Sequence, residues 1–306
     1  MHLIVPFAGV LSEAGRHTAQ SLSLPSLEKL LARAQPGAAT GGDERSLSAP
    51  HEVALARALG WPATDGRLPF AARAAALDGI AIGERPVGLL TPVHLHLGTE
   101  QVTMTDPDAL DLDAADARAL FDTLQPLFAD VGFELHWGSP LRWYLVHDSL
   151  AEWPTASLDR VIGRNIDPWI TDAPVGHLWP RLQSETQMLL HTHPVNARRE
   201  TQGLSSINSV WLSGCGAPRT APTVEPLIDE SLRGPALGED WAAWAEAWQA
   251  LDAGPIAALL QRQDGAVLTL AGERHTRPFT LQHASAWRRM RSMWQRAPAH
   301  RVLEAL

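Results

Sequence analysis

Short apolar runs alternate with amphipathic segments in the first quarter of the chain, a pattern typical of α/β proteins. Residues 2–8 are apolar and bounded by turn residues, so they predict a buried first strand. Apolar positions at helical spacing predict a helix over residues 24–34, with Pro25 in its first turn. A Gly-, Ala-, Ser- and Pro-rich segment over residues 35–50 indicates a loop. Two further helices are predicted, over residues 51–59 and 69–77.

The middle of the chain predicts a small unit of mixed helices and strands. Partial alternation indicates one or two strands over residues 93–104. Acidic cap residues precede a strongly amphipathic helix over Ala114–Ala129. Two strands joined by a Gly-Ser-Pro turn, an irregular Pro- and Trp-rich segment and a helix follow, over residues 133–136, 142–147, 151–180 and 181–191.

Strand and helix patterns alternate again toward the end of the sequence. The predicted elements are a strand over residues 208–213, a helix over Trp241–Leu251, a strand over residues 266–270 and a basic helix over residues 283–295. Strand–helix units at both ends, with an α+β block between them, predict an α/β fold with a mainly parallel sheet in its core. Residues 1–91 and 201–306 would form a discontinuous core domain, and residues 92–200 an inserted α+β cap domain.

The overall composition is that of a globular protein and excludes several classes of function. Hydrophobic residues make up 45% of the 306 residues and charged residues 19%, which rules out a disordered chain. The formal net charge of −9 argues against general nucleic-acid binding, which requires basic surfaces. A single cysteine, Cys215, excludes an internal disulfide and fits a reducing compartment. No apolar stretch is long enough to span a bilayer, so the sequence predicts a cytoplasmic protein with no membrane partner.

The densest group of polar residues lies between residues 190 and 209. Its members are His193, Asn196, Arg199 and Asn208. An arginine fork with nearby amide donors suits a carboxylate or phosphate ligand. In the alternative interpretation, Asn196 and Asn208 tie down a loop through bonds to the backbone, and Arg199 forms an ion pair.

Two His-x-His pairs raise the question of a metal site. The pairs are His94 with His96 and His191 with His193. Residues i and i+2 of a strand lie on one face, so His94 and His96 are placed to grip a metal together. The pattern identifies no third or fourth ligand, and ordinary strand histidines or contacts to an anion are the alternative.

Tryptophan is concentrated in the C-terminal third of the chain. Trp241, Trp244 and Trp248 recur at i, i+3 and i+7, which predicts one helical face used for core packing or a contact between domains. One functional hypothesis therefore makes the chain a scaffold that docks a protein partner, or a second copy of itself, through this region.

Several motifs occur in the same order as in one known family. Residues 24–34, LPSLEKLLARA, resemble the P-N-L-D-K-L-A helix of the alkaline phosphatase superfamily. Residues 193–199 and 208–216 resemble the H-P-x-N-x-x-R and A-N-x-I-W-L-W-G-x-G motifs of its archaeal-type cofactor-independent phosphoglycerate mutases. The resemblance spans residues 2–216, and the whole chain is still more similar to a proteobacterial group of Rpf-type regulatory, phosphoglycerate-mutase-like proteins of undefined role.

This resemblance implies an alkaline-phosphatase-like core and a pocket for an anion between core and cap. The residues that would hold the anion are Arg67, His94, His96, His193, Asn196, Arg199 and Asn208. The implied ligand is a small phosphorylated or carboxylate metabolite.

The chain departs from the family at the residues that carry out its chemistry. The family has a metal-binding Asp-Gly after the first strand, whereas Phe7 is followed here by alanine and glycine. The family's nucleophilic serine falls on His51, which is followed by Glu52 instead of aspartate, and the later metal-binding motifs have no match after residue 216. The family mechanism uses two divalent metals, such as manganese or zinc, to activate the hydroxyl, so the departures predict no metal cofactor here.

Two functions are consistent with these departures. The leading hypothesis is a catalytically degenerate, phosphoglycerate-mutase-like protein with a regulatory role or a binding site for an anionic, phosphorylated ligand. The alternative is an enzyme with altered phosphoryl-transfer chemistry, a mutase or phosphatase, in which His51 accepts the phosphate and Glu52 assists.

Overall fold

The computed structural model describes residues 1–220, 222, 224–262, 265–281 and 298–306, and their contacts divide the chain into two units. Unit 1 comprises Met1–Glu44, Ala49–Trp61 and Ala221–Leu306, and unit 2 comprises Arg45–Ser48 and Pro62–Thr220. The basic helix predicted over residues 283–295 lies outside the described residues. Within the described ranges, no helix is long and apolar enough to cross a membrane.

Strands and helices alternate along most of the chain. The strands are β1 (His2–Val5), β2 (Ala34–Pro36), β3 (Thr40–Gly41), β4 (Val87–Val93), β5 (Leu95–Leu97), β6 (Val102–Met104), β7 (Glu134–Ser139), β8 (Arg142–Val146), β9 (Ser209–Gly216), β10 (Leu227–Ile228), β11 (Val267–Ala271) and β12 (His275–Leu281). The helices are α1 (Glu13–Ser21), α2 (Pro25–Arg33), α3 (Pro50–Ala58), α4 (Phe70–Leu77), α5 (Ala114–Ala129), α6 (Leu158–Val161), α7 (Leu178–His191), α8 (Pro194–Thr201), α9 (Arg233–Leu237), α10 (Trp241–Leu251), α11 (Ala257–Gln261) and α12 (Ala299–Leu303).

Two helices, α5 and α10, have the limits that the sequence predicts. An aspartate starts each of them: Asp113 accepts a hydrogen bond from the Asp116 N–H, and Asp240 accepts one from the Ala243 N–H. These side chains satisfy backbone donors that have no partner within the helix. The sequence indicates α5 by its acidic cap residues and apolar face, and α10 by the spacing of its tryptophans.

The sheet of unit 1 is mixed. In the part of the chain that the structure describes, its strand order is β10-β1-β11-β12-β2, with β3 also paired to β12. Strand β1 runs parallel to β10 and β11, whereas β12 runs antiparallel to β11, β2 and β3. The predicted mainly parallel sheet is therefore not confirmed. Only residues 272–274 join β11 to β12, and so short a connection allows only antiparallel pairing.

In unit 1, one sequence prediction needs correction and one strand was not predicted. The segment 35–50 was expected to be a loop, but β2 and β3 lie partly within it and pair with β12. The sequence did not indicate β12 because Pro278 interrupts its pattern, and proline usually argues against a strand. Both errors arise from pairing between distant segments, which local patterns do not report.

The core of unit 1 is built around the tryptophans of α10. Trp244 and Trp248 are fully buried and meet edge to face, with ring centroids 6.0 Å apart. They pack with leucine and valine side chains of β1, α2 and β11. Core packing, one of the two roles predicted for the tryptophan stripe, is confirmed.

Unit 2 has an antiparallel sheet with the strand order β7-β8-β4-β9, and a separate hairpin of β5 and β6. Helices α5 and α7 cover this sheet, and their apolar residues share one core with β8 and β9. Strand β4 was not predicted: it is a mostly apolar segment containing Gly88 and Pro92, and it pairs with both β8 and β9. The domain boundary predicted at residue 92 falls inside β4, whereas the chain enters and leaves unit 2 at Pro62 and Thr220. The division into core and cap domains stays a prediction.

Candidate functional site

The carboxyl end of β1 is where the family resemblance places a metal-binding carboxylate. Phe7 stands there with a backbone φ of 54°, a left-handed conformation that costs about 1–2 kcal/mol for a residue with a side chain. The indole Nε1 of Trp244 donates a hydrogen bond of 3.0 Å to the Phe7 carbonyl. Because Trp244 is fully buried, this bond ties the strained backbone to the core of unit 1.

The space beside the ends of β1 and β11 is filled by Leu306. A β-carbon on Gly9, after β1, would lie 2.8 Å from the Leu306 Cβ, and one on Gly272, after β11, would lie 2.7 Å from it. The Leu306 carbonyl accepts hydrogen bonds from the N–H groups of Arg274, at 3.2 Å, and His275, at 2.6 Å. Glycine is required at both strand ends because another residue would displace Leu306.

The candidate catalytic residues His51 and Glu52 lie at the start of α3, in unit 1. The His51 ring centroid is 5.6 Å from that of Phe7. The Glu52 carboxylate accepts a hydrogen bond of 3.1 Å from the Ala49 N–H, which satisfies a backbone donor at the helix start. Glu52 thus helps to cap the start of α3. The catalytic role of His51 and Glu52 stays a prediction.

The two asparagines of the polar segment in unit 2 bond to the backbone. The Asn196 amide donates to the carbonyls of Leu190, at 2.7 Å, and Ile207, at 2.8 Å, while its oxygen accepts from the Ile207 N–H at 2.8 Å. Asn208 makes the same reciprocal pair with the N–H and carbonyl of Leu95, both at 2.8 Å. These are the loop-tying bonds that the sequence offered as the alternative to ligand binding.

Arg199 is almost completely buried, with an exposed fraction of 1%. Its Nε donates to the Ser205 carbonyl at 2.8 Å, and its terminal nitrogens donate to the carbonyls of Leu110 and Asp111. In the alternative interpretation Arg199 forms an ion pair; instead, three backbone carbonyls accept its N–H donors and so stabilise the buried guanidinium. Arg199 joins the start of α5 to the end of α8 through their flanking loops.

His193 caps the start of α8. Its Nδ1 accepts a hydrogen bond of 3.2 Å from the Val195 N–H, and its Nε2 lies 3.0 Å from the Thr123 hydroxyl. Burial, with a smaller contribution from the Arg198 guanidinium, lowers the pKa of His193 below its ordinary value. A neutral ring with the proton on Nε2 satisfies both contacts, so the geometry and the direction of the pKa agree.

The remaining members of the predicted ligand set are Arg67, His94 and His96. The Arg67 guanidinium forms an exposed ion pair of 2.7 Å with Glu152. His94 Nδ1 lies 2.7 Å from the Ser206 carbonyl, and the His94 and His96 ring centroids are 6.5 Å apart. The structure places these three residues in unit 2 together with His193, Asn196, Arg199 and Asn208, and ligand binding by the set stays a prediction.

The donors present do not fit the pair of divalent metals that the family resemblance implies. Among the described residues, no three His, Cys, Asp or Glu side chains come close enough together to hold a metal ion. At the end of β1, where the resemblance implies an Asp-Gly, the chain has Phe7, Ala8 and Gly9 and no carboxylate. Apolar side chains offer no ligand to a hard or borderline cation.

Sequence reasoning missed one polar cluster in unit 2. Arg142 donates two hydrogen bonds of 3.0 Å to the Asp78 carboxylate, which also accepts one of 2.6 Å from the Tyr144 hydroxyl. These contacts, those of Arg142 above all, hold the pKa of Asp78 below its ordinary value, and burial raises the pKa of Tyr144. Asp78 ends α4 and the other two lie on β8, so only the fold brings them together.

Cys215 has no features of a reactive thiol. It is buried in β9, and burial raises the pKa of its thiol to about 12. The thiolate is the reactive form of cysteine, so Cys215 serves packing at neutral pH.

Comparison with known proteins places the chain near one group of enzymes. It is 27% identical over 206 residues to the 2,3-bisphosphoglycerate-independent phosphoglycerate mutase of Methanosarcina mazei, covering 65% of this chain and 50% of that protein. The mutase of Methanosarcina barkeri is 27% identical over 214 residues, covering 68% and 52%. The chain is a distant homologue of these archaeal mutases. It spans about half the length of these curated relatives, and no protein-family model matches it.

Two solved structures are similar to the chain over most of its length. The PH0037 protein of Pyrococcus horikoshii matches with a TM-score of 0.51 and 10% identity, covering 99% of this chain and 95% of that one. The cofactor-independent phosphoglycerate mutase of Thermoplasma acidophilum matches with a TM-score of 0.36 and 15% identity, covering 92% and 89%. The first likeness concerns the fold alone. The sequence similarity to the Methanosarcina mutases confirms the mutase-like part of the resemblance at the level of distant homology.

Proposed function

We propose that this chain is a catalytically degenerate, phosphoglycerate-mutase-like protein with a regulatory or anion-binding role, like the Rpf-type group that its sequence resembles. The similarity to the Methanosarcina mutases supports the inherited scaffold. The observation that carries the loss of catalysis is the end of β1. There residues 5–9 contain no carboxylate, and Trp244 fixes the Phe7 backbone from the core.

The anion-binding part of the proposal rests on Arg67, His94 and His96. The other members of the predicted set, His193, Asn196, Arg199 and Asn208, use their polar atoms in hydrogen bonds within the chain. Arg67 pairs with Glu152, and His94 Nδ1 lies against the Ser206 carbonyl, but Arg67 and His96 are exposed and His94 is half-buried. Imidazole and guanidinium groups are suitable donors to a phosphate or carboxylate. The ligand class is a small phosphorylated or carboxylate metabolite.

The alternative, phosphoryl transfer to His51, has one observation in its favour. His51 is the second residue of α3, and the positive end of a helix favours an anion. In such a step the phosphorus–oxygen bond of a phosphate ester would break and a phosphorus–nitrogen bond to His51 would form. The departing alkoxide would take up the imidazole proton. Glu52 is bonded to the Ala49 N–H, which weakens its candidacy as the assisting group.

The test of the proposal is an activity assay on the purified chain, depleted of metal and resupplied with Mn²⁺ or Zn²⁺. Interconversion of 2- and 3-phosphoglycerate is followed, with the Methanosarcina mazei mutase as the positive control. We expect no turnover above background, because the end of β1 offers no metal-binding carboxylate. Sustained turnover that depends on the added metal would overturn the proposal.

Two further measurements on the same sample separate the remaining outcomes. Intact mass after incubation with 3-phosphoglycerate shows a bound phosphoryl group if the alternative holds, and His51→Ala but not the exposed His17→Ala removes it. Calorimetric titration with 3-phosphoglycerate tests the anion-binding part. We expect binding that His96→Ala weakens, and absence of any binding contradicts this part of the proposal.

A further inference from the structure

The histidines His94 and His96 lie where the chain passes from β4 into the hairpin of β5 and β6. His94 separates β4 from β5, and His96 is the middle residue of β5. The His94 carbonyl accepts a hydrogen bond of 3.0 Å from the Thr105 N–H, so His94 extends the pairing of the hairpin by one residue. Residues i and i+2 of a strand point to the same side. Both imidazoles therefore leave the hairpin on one face.

The ring of His94 is held in the tautomer that binds metal ions. Its Nδ1 lies 2.7 Å from the Ser206 carbonyl. A carbonyl oxygen only accepts hydrogen bonds, so in the neutral ring Nδ1 carries the proton and Nε2 keeps its lone pair. A hydrogen bond from the second ring nitrogen to a backbone carbonyl is typical of metal-binding histidines, because it fixes both the tautomer and the ring orientation.

His96 supplies the second imidazole. Its side chain is exposed and makes no hydrogen bond to the part of the chain that the structure describes. The His94 and His96 ring centroids are 6.5 Å apart. Because an imidazole nitrogen binds zinc at about 2.1 Å, two rings that share an ion have their centroids about 5–6.5 Å apart, depending on the angle between the two bonds. The observed separation is at the upper end of this range, and a small rotation of the exposed His96 ring shortens it.

The loop over residues 205–208 fixes the backbone that carries both histidines. Asn208 exchanges two hydrogen bonds of 2.8 Å with the N–H and carbonyl of Leu95, the residue between them. The buried side chains of Asn196 and Arg199 hold the same loop through its backbone. The polar network of unit 2 therefore supports the histidine pair from behind, as outer contacts support the ligands of a metal site. Ligands held in this way lose little affinity to reorganisation.

Two imidazoles favour a late first-row divalent ion. Imidazole suits zinc, nickel and copper, whereas magnesium and calcium prefer oxygen ligands. Among the described residues, no three His, Cys, Asp or Glu side chains come together, so the pair is a partial ligand set. Water would fill the remaining positions, as it fills the open position of catalytic zinc sites.

We propose that His94 and His96 form an open, two-histidine binding site for Zn²⁺ or Ni²⁺ on the hairpin of unit 2. The site shares these residues with the proposed anion site but does not rest on it, because the ion binds without an anionic ligand. It is also distinct from the two-metal centre that the family resemblance implies, whose first ligand falls at the end of β1.

The experiment titrates the purified, metal-depleted chain with Zn²⁺ in a buffer free of phosphate and carboxylates, and follows the heat of binding. We expect one site that His96→Ala weakens about 100-fold, because the second imidazole of a chelate binds intramolecularly. His191→Ala is the matched control and should leave the affinity unchanged. His191 and His193 form the other His-x-His pair, but both ring nitrogens of His193 are engaged, with the Val195 N–H and the Thr123 hydroxyl.

Long-range proton–nitrogen NMR of the imidazoles locates the bound ion. Without metal, His94 should carry its proton on Nδ1, and Zn²⁺ should shift the signals of His94 Nε2 and of one His96 ring nitrogen. Mg²⁺, the control ion, should shift neither. Circular dichroism of His96→Ala shows that the fold is retained.

Three results would overturn the proposal: no binding of Zn²⁺, binding that His96→Ala leaves unchanged, or a proton on Nε2 of metal-free His94. Because the buffer holds no anionic ligand, none of these results depends on the titration with 3-phosphoglycerate. Failure of the metal site and failure of the anion site are therefore distinguishable.

Discussion

The family resemblance implies ligand-binding residues both at the end of β1 in unit 1 and in the polar segment before β9 in unit 2. The two regions differ in which of these residue types the chain keeps. At the end of β1, the chain has no carboxylate where the resemblance implies one, and Leu306 packs against Gly9 and Gly272. In unit 2, the polar residue types are kept, but Asn196 and Arg199 donate to backbone carbonyls. Asn196 and Arg199 therefore have a structural role that does not depend on a ligand.

The two regions also differ in how much they depend on single side chains. Buried polar groups in unit 2 would lose their partners if one side chain were removed, and an unpaired buried group costs about 1–3 kcal/mol. The end of β1 is held by apolar packing and by one indole bond to a carbonyl. Substitutions in the polar segment should therefore destabilise the protein more than substitutions at the strand end.

The largest effect is expected for Arg199→Met. This change keeps much of the side-chain volume but leaves the carbonyls of Leu110, Asp111 and Ser205 without their donor. We expect the free energy of unfolding to fall by about 3 kcal/mol, measured by urea denaturation. The neighbouring Arg198→Met is the control, because Arg198 forms an exposed ion pair with Asp116 and should cost less than about 1 kcal/mol. Equal losses in the two variants would contradict the role assigned to Arg199.

A smaller effect is expected for Trp244→Phe at the strand end of unit 1. The change removes the donor to the Phe7 carbonyl and part of a buried ring, and should cost about 2 kcal/mol. Trp248→Phe removes a similar volume from the same helix, but its indole N–H has no partner among the described residues. It should therefore cost about 1 kcal/mol less. Hydrogen exchange of the backbone around Phe7 should speed up only in the Trp244 variant, and a uniform change in both would argue against a specific tie.

Local sequence patterns predict several of the helices and strands at the positions where the structure has them. Helix α5 was predictable because acidic cap residues and a regular apolar face agreed, and helix α10 because its tryptophans share one helical face. Strands β4 and β12 were not, because β4 is apolar on both faces and β12 contains Pro278, so neither shows the alternation of a half-buried strand. The mixed direction of the sheet in unit 1 depends on which strands pair, and no local pattern encodes that choice.

The sequence predicts which residues belong to the candidate site, but it does not predict their hydrogen-bond partners. The sequence marked Asn196 and Arg199, and it offered both a ligand and a loop-tying interpretation. Only the positions of Leu190, Ile207 and Leu110 show which backbone groups take up their donors.

The smallest effect concerns His193 and the pH. Burial lowers its pKa below the ordinary value of 6.5, so the unfolded chain binds this proton more readily than the folded one. The stabilisation by the neutral ring is therefore complete above about pH 6.5 and is lost as the pH falls from there to the folded-state pKa. His193→Asn keeps an acceptor for the Val195 N–H but does not titrate, so between pH 7 and pH 5 the wild type should lose stability relative to this variant. At pH 7, His193→Ala should cost about 1 kcal/mol through the lost cap, whereas His191→Ala, an exposed histidine two residues away, should cost almost nothing. The measurement is the urea midpoint of each protein between pH 7 and pH 5. If the midpoints of the wild type and His193→Asn change with pH in parallel, protonation of the His193 ring is not coupled to folding.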